Sequence, residues 1–295
     1  MKIVCIGGGH GLAQVLSAVR PLCTDLTAIV ATTDNGGSSG KIRESQKCLA
    51  LGDIRRCCLQ LTGQQSIIHS IFEHRFDGGD LDGHSLGNLT LLGLTQLTES
   101  PTQAVAWFNA MLGNSETILP MSDLATDLAA QLPNGDTVIG ECEIDALETL
   151  PDSISLTNQV DAAPGCVDAI LAADLIIIGP GSVISSVMPS FLIKGIAKAI
   201  QDTFACRIFI ENNTSEDSVM KHAQSPGIDW LQEQLGFKIC DLSISPNAIN
   251  EILEHCEQYT GSQKHLHDID DLSEVFSKLL KLPIEQEALG DMAIN

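Results

Sequence analysis

The stretch Lys2-Ile3-Val4-Cys5-Ile6-Gly7-Gly8-Gly9-His10-Gly11 joins a short β-branched run directly to a cluster of glycines. Four aliphatic residues then recur at the spacing of an amphipathic helix, namely Leu12, Val15, Leu16 and Val19. A second apolar run, residues 26–32, ends in another glycine-rich loop. Because parallel strands need a crossover between them, this order predicts a βαβ unit of a parallel sheet.

The rest of the chain extends the same pattern. Residues 175–178, Leu-Ile-Ile-Ile, are a continuous apolar run typical of a buried parallel strand, and they lead into Gly179-Pro180-Gly181-Ser182. Further strands are predicted at 207–210 and 235–244, and helices within 53–113 and at 162–173 and 191–200.

These elements predict an α/β fold with a doubly wound, mostly parallel, Rossmann-like sheet. Residues 116–157 are predicted to form a β-hairpin insertion around the turn Pro133-Asn134-Gly135-Asp136. We expect one domain over residues 1–295, with a variable, acidic C-terminal part at about 243–295. The acidic run at 267–271 belongs to that part.

The charge balance restricts the partners of the chain. Its 295 residues include 16 Lys and Arg against 38 Asp and Glu, a formal net charge of −22. Because phosphate backbones and anionic headgroups are held mainly by Lys and Arg, we expect neither a nucleic-acid nor a membrane partner. The oligomeric state is left open, with a homodimer as one alternative.

Two features favour a cytoplasmic location. The apolar N-terminal stretch is shorter than the core of a signal peptide. The ten cysteines are scattered and include no C-x-x-C pair, which is typical neither of a zinc site nor of a secreted disulfide framework.

Positive charge is concentrated locally. Residues 41–75 contain six Lys or Arg against three acids, whereas residues 76–193 contain no Lys or Arg against 16 acids. Because the basic window adjoins glycine-rich loops, the distribution indicates a site for a small polyphosphate.

Three glycine-rich loops follow predicted strands, at the edge where an open parallel sheet binds its ligands. Glycines let backbone N–H groups approach a phosphate closely. The candidate ligand-binding residues are Gly8, Gly9, His10 and Gly11 in the first loop, Asp34, Asn35, Gly36, Gly37, Ser38 and Ser39 in the second, and Gly179, Gly181 and Ser182 in the third. The first loop fits neither the Walker pattern nor G-x-G-x-x-G. A tight strand-to-helix turn is the alternative for each loop taken alone.

Four polar residues outside the loops are further candidates. Asp53 is either the N-cap of a helix or a ligand contact. His84 and Asn88, at i and i+4, share one helix face, with capping or core hydrogen bonding as the alternative. Arg75 could reach a phosphate or a carboxylate.

A magnesium ion held by Asp34 and phosphate oxygens is the metal site that the sequence allows. The histidines lack the spacing of a metal cluster. No other cofactor is indicated.

Six segments resemble, in order and spacing, the CofD-like/YvcK family of gluconeogenesis factors and its YbhK branch. They are GGGHG at 7–11, DNGGSSGKIR at 34–43, GDIR at 52–55, FEHRF at 72–76, GHSLGNL at 83–89 and ADLIIIGPGS at 173–182. The resemblance implies a cytoplasmic protein needed for growth and cell shape on gluconeogenic carbon sources, with UDP-sugar binding in some members. The archaeal relative, 2-phospho-L-lactate transferase, implies an alternative, transfer of a phospholactyl group from a guanosine diphosphate donor to a deazaflavin alcohol with magnesium.

The family's nucleotide-facing loops correspond to residues 8–11, 36–39 and 179–182 of this chain. The resemblance adds polar contacts from Asp34, Arg43, Arg75, His84 and Asn88. Many relatives have two acids before the glycine pair, whereas this chain has Asp34-Asn35, so a metal site that requires both acids is in question. Three hypotheses stay open: a nucleotide-binding or nucleotide-sugar-binding regulator, a transferase, and an interaction module built on the hairpin at 116–157.

Overall fold

A computed structural model describes residues 1–63, 66–212, 226–254 and 268–280. The strands are β1 (Lys2–Gly7), β2 (Asp25–Val30), β3 (Thr117–Pro120), β4 (Leu128–Gln131), β5 (Thr137–Ile139), β6 (Ser153–Leu156), β7 (Leu175–Ile178), β8 (Cys206–Ile210) and β9 (Leu242–Ile244). The helices are α1 (Gly9–Val19), α2 (Gly37–Ser45), α3 (Gly52–Thr62), α4 (Ile67–Glu73), α5 (Leu86–Thr98), α6 (Pro101–Met111), α7 (Glu141–Asp145), α8 (Cys166–Ala172), α9 (Met188–Phe191), α10 (Lys194–Asp202), α11 (Ile228–Leu235), α12 (Pro246–Glu254) and α13 (Ile269–Leu279). Short 3₁₀ turns at Arg20–Leu22 and Gly79–Leu81 and a π turn at Val183–Val187 connect some of these elements.

Six parallel strands form the main sheet in the order β3-β2-β1-β7-β8-β9. Ile3 of β1 lies opposite Leu26 of β2 on one side and Leu175 of β7 on the other. The chain moves outward from β1 to β2 and β3, and later from β7 to β8 and β9, so the strand order reverses between β1 and β7. The predicted doubly wound α/β fold is confirmed.

Successive residues of each central strand point to opposite faces of the sheet, and both faces are buried. Cys5 joins a core formed with α1, α3, α5, α6 and α13, whereas Ile6 joins a core formed with α8, α9, α10 and the π turn. Burial on both faces explains why β7 consists only of Leu and Ile.

The predicted insertion at 116–157 is partly correct. The hairpin forms between β4 and β5 around Leu132–Asp136, where Gly135 adopts a φ of +90°. However, β3 pairs in parallel with β2 at the edge of the main sheet, and β6 adds a third antiparallel strand next to β4. The excursion is therefore a small three-stranded sheet that begins after β3.

The C-terminal part contributes to the core wherever the structure describes it. The strand predicted at 235–244 is limited to β9, because α11 continues to Leu235 and ends at Gly236, which has a φ of +74°. Helix α13 packs on α1 and buries Leu272, Val275 and Phe276 completely. The acidic run caps this helix, since the carboxylate of Asp268 accepts from the N–H of Asp270 at 3.0 Å. Residues 255–267 and 281–295, which complete the predicted acidic part, lie outside the described residues.

Among the described residues, no single helix has both the length and the apolar composition to cross a bilayer. One pair of consecutive helical segments, Val183–Phe191 and Lys194–Asp202, meets those two criteria only when taken together, with a bend of 81° between the segments.

Candidate functional site

The three glycine-rich loops meet at the carboxyl edge of the main sheet, because β1 lies between β2 and β7. A Cβ added to Gly11 would lie 2.5 Å from the carbonyl oxygen of Pro180. One added to Gly181 would lie 3.0 Å from Cβ of Ser186. The first and third loops therefore approach each other too closely to admit a side chain at Gly11, whereas Gly181 is confined by the π turn that follows the third loop.

The first loop enters α1 at a glycine, so the side chain that caps this helix start comes from α3. Gly8 is the N-cap, and the Asp53 carboxylate accepts a hydrogen bond from the N–H of Gly9 at 2.5 Å. Asp53 also pairs with Arg56. The N-cap of α3 is Leu51, so the interpretation of Asp53 as an N-cap is wrong. Asp53 lies in the first turn of α3 and ties that helix to the first loop.

His10 follows Gly9 at the exposed start of α1. Partial desolvation lowers the pKa of its imidazole, and the nearby Arg56 guanidinium lowers that pKa further. The neutral ring, which has one donor and one acceptor nitrogen, is therefore favoured beside the first loop.

The second loop is held by its own side chains. Oδ1 of Asp34 accepts from the N–H of Gly36 at 2.7 Å, and the Ser39 hydroxyl accepts from the N–H of Gly52 at 3.1 Å. Burial raises the pKa of Asp34, and the neighbouring charge of Asp53 raises it further. The loop thus carries a partly desolvated carboxyl group next to a second acid.

A buried polar network joins the second loop to α5. The Ser38 hydroxyl lies 3.2 Å from Nδ1 of His84 and accepts from Nδ2 of Asn88 at 3.1 Å. Oδ1 of Asn88 accepts from Nε of Arg55 at 3.1 Å, and Arg55 pairs with Glu73. Three predicted residues are therefore brought together, and the side chain of Asn88 is engaged by protein partners. Sequence reasoning did not propose Arg55 as a site residue. Its position among the apolar residues of the buried face of α3 was the available signal, because a buried arginine needs polar partners.

Arg43 fastens the second loop to the segment before β4. It donates to the carbonyl oxygens of Thr33, Asp34 and Thr126 at 3.0–3.1 Å and pairs with Asp127 at 2.7 Å. These contacts hold the loop in place, which is a different role from the direct ligand contact implied by the resemblance.

Arg75 remains on the surface. Its guanidinium donates to the carbonyl oxygen of Gly83 at 3.0 Å, and its backbone bridges to Ser85, the N-cap of α5. Arg75 therefore borders the segment that carries His84 and Asn88.

The third loop is also closed by local contacts. Gly179 has a φ of +78°, and the carbonyl oxygen of Gly181 accepts from Nδ2 of Asn212 at 3.0 Å. The Ser182 hydroxyl accepts from the N–H of Ser185 at 3.2 Å and so caps the π turn. Ser182 therefore has a capping role in this structure.

Helix α7 brings two acids to the second loop that sequence reasoning missed. Burial, followed by the charges of Asp34 and Asp145, raises the pKa of Glu141 to about 9. Burial also raises the pKa of Asp145 to about 6, although its carboxylate accepts from the Ser185 hydroxyl at 3.3 Å. The only signal in the sequence was the alternation of acids in residues 141–145, directly after Gly140.

Asn35 joins α7 to the second loop. Its Nδ2 donates to Oε2 of Glu143 at 2.7 Å, and its Oδ1 accepts from the N–H of Cys142 at 2.8 Å. An aspartate could not donate to Glu143 and would repel it. The amide at this position is therefore suited to bridging, and both of its polar atoms are used.

Two buried hydroxyls lie between β2 and Asp34. The side chains of Thr32 and Thr33 are at most 1% exposed, and neither Oγ1 has a hydrogen-bond partner in the described part of the chain. Buried hydroxyls are usually satisfied by protein, water or a ligand. The carboxyl edge of β2 therefore has unused hydrogen-bonding capacity.

The carboxylates near the second loop are the type of oxygen ligand that magnesium prefers. Asp34, Asp53, Glu141 and Asp145 influence one another electrostatically, but the described residues contain no set of three acids, histidines or cysteines arranged around one metal position. Magnesium commonly uses one or two carboxylates together with substrate phosphates. The residues therefore fit a magnesium ion that arrives with a phosphorylated ligand better than a permanently held ion.

A cavity of about 460 Å³ opens beside the second loop. It lies between α2 and the small antiparallel sheet, and its polar lining includes Asn35, Arg43, Lys47, Asp127, Glu143 and Asn158. Amides, carboxylates and cations together suit a group that has many hydroxyls.

Comparison with known proteins gives consistent results. The family model described as 2-phospho-L-lactate transferase CofD matches residues 3–284. A Pasteurella multocida protein is 40% identical over 86% of this chain and 83% of its own length. The Bacillus subtilis protein named gluconeogenesis factor is 34% identical over 81% of this chain and 77% of its own length. A crystal structure of a Bacillus halodurans protein of the UPF0052 family, 30% identical, superposes with a TM-score of 0.74 and covers 83% of this chain and 79% of that one.

Proposed function

The chain belongs to the CofD family, and from this premise we propose that it is a gluconeogenesis factor that binds a nucleotide or a nucleotide-sugar, such as a UDP-sugar. We further propose that it supports growth and cell shape on gluconeogenic carbon sources. The observation that carries the proposal is the meeting of three glycine-rich loops where the strand order reverses. Open α/β sheets bind ligands at this point.

The backbone supports a phosphate-bearing ligand. Helices α1 and α2 both begin in these loops, and the N-cap of each is a glycine, which has no side chain to cover the helix start. In α1 the Asp53 carboxylate already accepts from the N–H of Gly9, so a ligand would bind at the N–H groups beside it. Helix N-termini favour anions through their free N–H groups and their partial positive charge. The unpartnered hydroxyls of Thr32 and Thr33 supply further donors in the second loop.

The carboxylates at this edge of the sheet decide whether such a ligand would bind alone or together with a cation. Among the described acids of this edge, Asp53 pairs with Arg56, and the charge of Asp34 raises the proton affinity of Glu141. A bare polyphosphate would be repelled by the carboxylates of Asp34 and Asp53. We therefore propose that the ligand binds together with magnesium and that Asp34 is the protein ligand of the ion. Magnesium, when bound, neutralises phosphate charge.

The cavity beside the second loop is the proposed position of the sugar. Asn35 and Arg43 contribute both to this cavity and to the structure of the second loop. A ligand with its phosphates at the glycine loops can therefore extend toward the amides and carboxylates of the cavity.

A transferase is the second candidate, favoured by the description of the matching family model. Glu141, with a pKa of about 9, is protonated at neutral pH and could donate a proton. In this case the chain would transfer a phospholactyl group to an alcohol acceptor, and the guanosine diphosphate donor would release GMP.

Thermal unfolding with UDP, a UDP-sugar and GDP, each with and without magnesium, tests the proposal. A ligand at 100 times its Kd should stabilise the fold by about 2.7 kcal/mol. Asp34→Asn should remove the part of the stabilisation that depends on magnesium. Asp161→Asn, at an exposed position outside the three loops, is the matched control and should behave as wild type.

The possible outcomes separate the candidates. If no nucleotide shifts the unfolding temperature, the binding proposal is wrong. Release of GMP from a phospholactyl donor would favour the transferase, whereas binding without product would favour the regulator. A strain lacking the gene should grow poorly on gluconeogenic carbon sources, and the Asp34→Asn variant should fail to restore growth.

A further inference from the structure

The segment that contains the π turn and α9, residues 183–191, is buried at every position except Ser186, which is partly exposed. The neighbours of Ser186 in the chain are already engaged. The Ser185 hydroxyl donates to Oδ2 of Asp145 at 3.3 Å, and Val187 belongs to the core. The hydroxyl of Ser186, by contrast, forms no hydrogen bond with any described residue. This segment therefore offers solvent one free hydroxyl, at Ser186.

Glycines of the first and third loops border Ser186. A Cβ added to Gly181 would lie 3.0 Å from Cβ of Ser186, and one added to Gly8 would lie 3.5 Å from the same atom. A Cβ added to Gly9 would lie 3.9 Å from the Ser186 hydroxyl oxygen. Ser186 therefore lies at the junction of the two loops, where its neighbours present backbone instead of side chains.

The π turn fixes the position of Ser186 without using its hydroxyl. The carbonyl oxygen of Ser182 accepts from the N–H of Ser186 at 2.9 Å and from the N–H of Val187 at 3.0 Å. The second of these bonds spans five residues, which is the spacing that defines a π turn, and such turns are frequent at functional sites. The bond between Ser185 and Asp145 holds the same turn against α7. The fold therefore does not depend on the Ser186 hydroxyl.

The groups beside Ser186 favour an anionic part of a ligand. The first loop leads into α1, and the N–H groups of the first turn of a helix have no intrahelical acceptor. Asp53 occupies the N–H of Gly9, but Arg56, which pairs with Asp53, brings a positive charge to the same loop. A serine hydroxyl adds one more donor to these groups, and a phosphate has enough acceptor oxygens to use several donors at once.

We propose that the Ser186 hydroxyl donates a hydrogen bond to a phosphate group of the ligand, bound at the junction of the first and third loops. This inference rests on the proposed nucleotide-binding function and adds to it a contact residue from outside the three glycine-rich loops. It also assigns the phosphates to this junction, because glycines let backbone N–H groups approach a phosphate closely. The cavity proposed for the sugar is lined by the second loop and the small antiparallel sheet instead.

Calorimetric titration of the full chain with UDP, UDP-glucose and GDP in the presence of magnesium tests the proposal. Ser186→Ala should bind at least tenfold more weakly than wild type, because a hydrogen bond to a charged group is lost. Its melting temperature without ligand should equal that of wild type, since the hydroxyl has no partner among the described residues. Phosphorus-31 NMR of the bound nucleotide should also show a changed resonance for at least one phosphate in this variant.

Ser190→Ala is the matched control. The hydroxyl of Ser190, four residues further along the chain, also has no described hydrogen-bond partner, but Ser190 is completely buried. This variant should therefore bind nucleotide with wild-type affinity and leave the phosphorus resonances unchanged.

The outcomes distinguish this inference from the function on which it rests. Wild-type affinity in Ser186→Ala would overturn the inference and leave the proposed function intact. Weaker binding with unchanged phosphorus resonances would overturn it too, because the hydroxyl would then contact the base or the sugar. A wild-type chain that binds none of the three nucleotides would refute the proposed function and the inference with it.

Discussion

Gly11→Ala should destabilise the fold because it places a methyl group between the first and third loops. The new Cβ would lie 2.5 Å from the carbonyl oxygen of Pro180, whereas ordinary contact begins near 3.4 Å, so the two backbones must separate by 0.9 Å. Overpacking of this kind costs up to about 3 kcal/mol, and the better helix propensity of alanine returns about 1 kcal/mol. The expected net loss is about 2 kcal/mol.

Gly93→Ala is the matched control, since the same substitution is made inside α5 where a Cβ would meet nothing within 4 Å. This variant should gain about 1 kcal/mol from helix propensity alone. Calorimetry should then show the melting temperature of Gly11→Ala lower by about 3 °C and that of Gly93→Ala higher by about 1–2 °C. Equal melting temperatures would refute the close approach of the two loops, and nucleotide-induced stabilisation should be smaller in Gly11→Ala alone.

Four other substitutions test separate parts of the structure. Glu141 has a folded-state pKa of about 9 against an ordinary 4.5, so its contribution to stability is complete below pH 4.5 and is lost as the pH rises toward 9. The melting temperature of Glu141→Gln relative to wild type should therefore increase from pH 5 to pH 8, and a constant difference would contradict the burial of this acid. Asn88→Ala leaves Arg55 without its buried acceptor and should lower the urea-derived free energy of unfolding by about 1–3 kcal/mol. Arg75→Ala, at an exposed position, should change that free energy by less than about 0.5 kcal/mol but weaken nucleotide binding by about 1–3 kcal/mol, as measured by calorimetric titration. Phe276→Ala should cost about 3–5 kcal/mol in the same urea experiment, and a small loss would show that α13 is not part of the core.

The central part of the fold was predictable because its signals are local. β1, β2 and β7 are short apolar runs that end directly in glycines, and a buried parallel sheet requires that pattern. The strand at 235–244 was assigned too broadly because the helix-ending role of Gly236 was not recognised. The part played by α13 could not be deduced, since its contact with α1 joins opposite ends of the described chain.

The candidate site was predictable in its loops but not in its acids. Glycines that follow strands converge by topology, so the positions of Gly8, Gly36 and Gly179 at one edge follow from a parallel sheet alone. Glu141 reaches the same edge through a tertiary contact, because α7 is held by a hydrogen bond between Asn35 and Glu143, which are 108 positions apart. No local pattern encodes such a contact.

The packing of α13 on α1 has a consequence for folding during synthesis. α1 is complete once residue 19 has been added, but the helix that covers it ends at residue 279, which is 260 residues later. At about 5–20 residues per second, the ribosome needs roughly 13–50 s to produce the missing partner. During that interval α3 can already pack on the first helix, but the part of the apolar surface that α13 covers stays without its permanent partner. A growing chain of this protein should therefore be a client of ribosome-associated chaperones, and chains that stop before α13 should aggregate.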